Sequence, residues 1–108
     1  MNGASLDALV AENVAVARAA EAGRSSHLLF HRRFRQVLLA FVAGRGLPAH
    51  DNPGSATLQV LCGRVRLTAA GESWEGIAGD LVEIPGQRHD LVAVEDSAIL
   101  LTVIPFTQ

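Results

Sequence analysis

The chain has 108 residues, enough for one domain around one core. Hydrophobic residues make up 49% of it, which excludes wholesale disorder. The formal charge is −2, which argues against a nucleic-acid-binding or membrane-surface protein.

Ser5 to Ala22 reads as a helix. Ser5 is a capping residue, Asp7 falls in the first turn, and Gly23 follows as a stop. Leu6, Leu9, Val10, Val14 and Ala17 recur at three- and four-residue spacing and form one apolar face. That face needs a partner, either the outside of its own domain or a second subunit. His27 to His31 reads as a strand, followed by a basic patch at Arg32, Arg33 and Arg35. Gln36 to Ala43 is almost wholly apolar, as in a strand buried on both faces.

Gly44 to Leu47 is expected to turn the chain, and His50 to Gly54 to form a polar loop. Ala56 to Leu61 and Arg64 to Thr68 form a hairpin about Gly63. A second turn at Ala69 to Glu72 leads to a strand over Ser73 to Ile77, which carries Trp74. Gly79-Asp80 turns again before Leu81 to Ile84, and Pro85-Gly86 breaks that strand. His89 to Val94 and Ala98 to Ile104 form a last pair across Glu95-Asp96-Ser97. Eight or nine short strands after one helix point to an antiparallel double sheet or barrel, and a jelly roll limits exposed edges in such a fold.

Two spaced sets of residues stand out. The first is Gly44, five residues, His50-Asp51-Asn52, three residues, Ala56, six residues, Gly63. The second is Gly86, two residues, His89. In these the chain resembles the small single-domain cupins of the conserved-barrel type. Their first motif is Gly, five residues, His-x-His, three or four residues, Glu, six residues, Gly. Their second is Gly, five residues, Pro-x-Gly, two residues, His, three residues, Asn. Gly79 lies one residue too close for the second motif, Pro85 takes its variable position, and Ala93 replaces its Asn.

The resemblance implies an all-β, antiparallel double-stranded β-helix over residues 24–108, preceded by a helical segment over 1–23. Cupins of this type hold a divalent metal (Zn, Ni, Fe or Mn) with three His and one Glu at the barrel mouth. Transferred by position, His50 is the first His and His89 the last. Asn52 stands where the second His belongs and Ala56 where the Glu belongs. A neutral amide is a weak ligand for such metals and a methyl donates nothing, so the motif leaves a metal weakly held by His50 and His89, or none. Strand alternation turns Ala56, Leu58 and Val60 one way and Gln59 the other, so Gln59 does not restore the acid. His27 or His31 reaching in from a neighbouring strand would be the remaining source of imidazole.

Three functional expectations follow. The first is a small organic ligand in the barrel mouth, bound by His50, Asn52, Leu58, Val60, His89 and Leu91. The second is a metal-dependent enzyme of oxygenase, isomerase or decarboxylase type with a reduced ligand set. The third is a role through assembly, as a homodimer. Cys62 is the sole cysteine, so no intrachain disulfide forms and a reducing compartment is expected. The N-terminus lacks a signal-peptide pattern, no stretch is apolar enough to span a bilayer, and a cytoplasmic protein is expected. No nucleic-acid or membrane partner is expected.

Overall fold

The structure is a computed structural model and describes residues 1–51 and 54–105. One helix, α1 (Leu6–Ala19), precedes nine strands. These are β1 (Arg24–His31), β2 (Arg35–Phe41), β3 (Gly46–His50), β4 (Gly54–Cys62), β5 (Arg64–Ala69), β6 (Glu72–Ile77), β7 (Leu81–Glu83), β8 (His89–Ala93) and β9 (Ser97–Pro105). They form two antiparallel sheets, ordered β1-β2-β9-β4-β7 and β3-β8-β5-β6. This is the jelly-roll arrangement expected from the strand spacing. No helix among the described residues is long and apolar enough to cross a membrane.

Side-chain alternation divides the apolar residues between two cores. Phe41, Leu58, Val60, Val65, Leu67, Leu91, Ile99 and Val103 fill the space between the sheets. Leu38 and Ala40, on the opposite face of β2, pack with Ala98 against Val14 and Ala17 of α1. The apolar run at 36–43 is therefore covered on both sides, by the second sheet and by the helix. The apolar stripe of α1 is spent on its own domain.

The Ser5 hydroxyl caps α1, accepting from the Ala8 N–H at 3.2 Å. The helix ends at Ala19, earlier than Gly23 suggests, because Ala20 turns extended while its N–H still bonds Val16 and Ala17. Asn13 is buried beneath the helix. Its amide donates to the Leu9 carbonyl at 2.9 Å and its oxygen accepts from the Ser25 hydroxyl at 2.6 Å. At the last turn, Arg18 donates to Asp96 at 2.7 Å, and the other Asp96 oxygen accepts from the Ala43 N–H at 2.9 Å. The helix is thus tied to the turn before β9.

Four expectations change. The hairpin read about Gly63 and the last pair read across Glu95-Asp96-Ser97 do not form, because β4 and β9 lie in the five-stranded sheet while β5 and β8 lie in the other, so each turn carries the chain from one sheet to the next. The segment read as a turn and polar loop contains strand β3, which pairs with β8 with a register shift between Leu47 and His50. Pro48 is tolerated because β3 is an edge strand, where a missing N–H breaks no central ladder. Strand β1 begins at Arg24 rather than His27, since the polar Arg24 to Ser26 stretch pairs with Phe41 to Leu39.

The odd-to-even connections β1–β2, β3–β4, β5–β6 and β7–β8 gather at one end of the double sheet. That end is the mouth. His50 closes β3 there, and His89 opens β8.

Candidate functional site

Pairing of β3 with β8 sets His50 directly opposite His89. Their ring centroids are 4.4 Å apart and the ring planes are inclined by 62°. His89 is buried and His50 half-buried. Each ring is held by the carbonyl two residues earlier: Nδ1 of His50 lies 2.9 Å from the Pro48 oxygen, and Nδ1 of His89 lies 3.0 Å from the Gln87 oxygen. A carbonyl only accepts, so in the neutral rings Nδ1 carries the proton and Nε2 keeps a lone pair. Arg88 joins the two flanking segments, donating to the Ala49 carbonyl at 2.9 Å and lying 3.7 Å from the Asp51 carboxylate. Neither Arg88 nor Asp90 orients the His89 ring.

Behind the imidazoles is a cavity of about 30 Å³, lined by Leu58, Leu67, Ile84, Leu91 and Leu101 among others. That volume takes about one small polar group or one water. Leu67 also borders an open depression of about 260 Å³, whose wall includes Trp74, Val82, Pro85 and Gln87. Of the candidate ligand-binding residues, His50, Leu58, His89 and Leu91 meet in this cavity. Val60 is fully buried in the inter-sheet core and does not line it. Asn52 lies outside the described residues.

The donor set does not suit a tightly held divalent cation. Among the described residues, no three His, Cys, Asp or Glu side chains converge. Ala56 is buried on the barrel side of β4 and offers a methyl where a cupin carboxylate would stand. Glu72 shares the cross-sheet row His50–His89–Ala69–Glu72, but it is two strands from His89, about 10 Å. His27 and His31 are exposed on the edge strand β1. Cys62 sits at the far end of β4, half-buried with a free thiol. Two imidazoles without a carboxylate leave a first-row ion short of ligands and of charge balance.

The perturbed acids lie elsewhere. A hydrogen bond from Arg66 holds the Glu75 carboxyl below its ordinary range, with Arg64 adding to the effect. These side chains form an exposed ion-paired face on β5 and β6. Asp96 is likewise held low, first by the Ala43 N–H and then by Arg18. Trp74 is half-buried against the inter-sheet core.

One residue acquires a different place from the one its sequence neighbours suggest. Arg35 reads as part of a basic patch with Arg32 and Arg33. In the fold it opens β2 in phase with Leu39 and Phe41, on the barrel side of the sheet. The signal was its spacing of four and six residues from those two, obscured by Arg32 and Arg33 beside it.

No protein-family model and no curated protein sequence matches the chain. Solved structures do. A conserved protein of unknown function from Streptococcus pyogenes superposes with a TM-score of 0.74 at 25% identity, over 82% of this chain and 80% of that one. A cupin superfamily protein from Desulfitobacterium hafniense gives a TM-score of 0.72 at 18% identity, over 83% and 87%. An RmlC-like cupin from Desulfovibrio desulfuricans gives 0.68 at 25% identity, over 76% and 82%. With the strand order, these likenesses support a small cupin-type domain.

Proposed function

We propose that this domain binds a small organic molecule at the barrel mouth. A polar head group meets His50 and His89, and an apolar body lies over Leu67, Trp74 and Val82. The observation that carries this reading is the imidazole pair itself. Both Nδ1 atoms are committed to backbone carbonyls, so both Nε2 atoms are left for a ligand, beside an apolar wall. The small cavity and the depression next to it favour a ligand at the low end of the usual size range, with most of its body outside the inner cavity.

A second reading keeps a divalent ion. Metal-bound imidazoles are commonly fixed through the other ring nitrogen in this same manner, which favours a weak, exchangeable site for Zn, Ni, Fe or Mn. An oxygenase, isomerase or decarboxylase would need more ligands than the described donor set supplies.

A thermal-shift screen of metal-free protein tests the proposal, with hydroxy acids, sugars and divalent metals as separate arms. A ligand at a hundred times its Kd stabilises the fold by about 2.7 kcal/mol. The expected result is an organic compound whose shift disappears in both His50→Ala and His89→Ala. Shifts that survive both substitutions, or an absence of shifts across the screen, would remove the reading.

A further inference from the structure

The mouth holds a cation that the binding site described above does not use. Cross-strand pairing runs His31–Arg35–Val103–Ala56 along the last barrel-side row of the five-stranded sheet. Val103 and Ala56 are both buried in the inter-sheet core, which puts Arg35 on the same side. The row lies at the mouth. Arg35 follows the β1–β2 turn, and Ala56 follows Gly54, where the chain arrives from His50. The Ala56 carbonyl also accepts from the N–H of Ile84, which lines the cavity with His50 and His89.

The Nε of Arg35 is shut off from solvent and has no hydrogen-bond partner among the described residues. A buried donor without an acceptor is unfavourable, more so on a cation, and arginine cannot shed its proton to escape the cost. Among the described residues, the carboxylates near the mouth do not answer it. Asp51 lies against Arg88. Glu83 pairs with Thr57, whose side chain is on the outer face of β4. Glu72 is exposed at the β5–β6 hairpin tip of the other sheet.

The charge pattern of this row is therefore the reverse of a metal site's. Where the motif spacing places a carboxylate, the row offers a methyl, and two strands along it stands a guanidinium. Such a row repels a divalent cation and attracts an anion. We infer that the ligand of the proposed site carries a carboxylate, taken by the Arg35 guanidinium, together with a hydrogen-bond donor that meets an Nε2 lone pair of His50 or His89. A planar carboxylate matches the guanidinium fork. The inference rests on the binding reading above and names its ligand class.

The test is an NMR titration of the full chain with benzoate and with benzamide, which differ little in shape but differ in charge. Phenyl phosphate is the third arm. The expected result is that benzoate perturbs the His50 and His89 signals and binds about tenfold more tightly than benzamide. Arg35→Gln should erase that difference by weakening benzoate binding. Arg35→Lys, which keeps the charge and loses the fork, should fall between. Equal affinity for benzoate and benzamide in the unaltered protein would overturn the inference and leave the binding reading standing, and that comparison needs no variant to fold. A benzoate preference surviving Arg35→Gln would also overturn it. A preference for phenyl phosphate over benzoate would replace carboxylate with phosphate as the ligand class. Failure of all three probes to perturb His50 and His89 would overturn the carboxylate inference, while the thermal-shift screen decides the binding reading by itself.

Discussion

Asp96 accepts the Arg18 guanidinium on one oxygen, at 2.7 Å, and so joins the last turn of the helix to the turn before β9. Its other oxygen takes the Ala43 N–H, so one exposed carboxylate fastens three segments. Both contacts favour the charged form and hold its pKa below the ordinary value of 3.8. Glu75, beside Arg66, is held below 4.5 in the same sense. A carboxyl whose pKa is lowered by folding stabilises the fold above its ordinary pKa, and that contribution is lost as pH falls through the folded value. We therefore expect urea midpoints to decline as pH is lowered from about 5 through 3. Asp96→Asn and Glu75→Gln should each flatten the decline, and added salt should weaken it because both groups face solvent.

The cover that α1 provides is the second point to test. Ala17 is fully buried against Leu38, Ala40 and Ala98. Ala17→Asp would place a charge in that layer without a partner, and a loss of about 3 kcal/mol or more is expected by chemical denaturation. Val16→Asp on the exposed side of the same helix should change stability by less than about 0.5 kcal/mol. Equal effects would mean that the helix is not seated on this sheet in solution.

Two glycines at similar backbone angles should respond differently to a methyl. Gly63 has φ +80°, and a Cβ there would lie 2.3 Å from the Asp96 carbonyl oxygen and 2.3 Å from the Ser97 hydroxyl. Gly71 has φ +79° and open space around it. Gly71→Ala is expected to cost about 1 kcal/mol, from backbone strain alone. Gly63→Ala adds a clash with backbone and is expected to cost about 3 kcal/mol. Ala70, beside Gly71 in the same turn, has φ +52°, so Ala70→Gly should stabilise by up to about 1 kcal/mol. Denaturant midpoints of the three variants check this order.

Much of the scaffold could be read from the chain. Strict alternation at Ala56, Leu58 and Val60 announced the barrel side of β4, and the continuous apolar run near Leu38 announced a strand covered twice. Strand β3 was hidden because Pro48 and the His50 to Gly54 stretch carry turn chemistry, while the pairing that makes Gly46 to His50 a strand comes from β8, about 40 residues later in the chain. Motif spacing found His50 and His89, but it could not reveal that their Nδ1 atoms are held by carbonyls, which depends on loop geometry. Arg35 was obscured for a different reason: three arginines in four positions look like one basic patch, and only the β2–β9 register sets one of them apart.

The imidazole pair should also separate stability from binding. His89 is 5% exposed and His50 is half-buried. His89→Ala is expected to destabilise by about 1–3 kcal/mol and His50→Ala by less than about 1 kcal/mol. Both should abolish binding of whichever organic ligand the thermal-shift screen identifies. Calorimetry beside urea unfolding reads the two effects separately, and a His50→Ala variant that still binds would detach the pair from the site.

Among the described residues, the mouth offers a metal two imidazoles and no converging carboxylate. The most direct measurement is the metal content of untagged protein, purified without chelator and then dialysed against metal-free buffer. We predict well under one equivalent of any divalent metal per chain. One retained equivalent per chain, lost in both His50→Ala and His89→Ala, would contradict it.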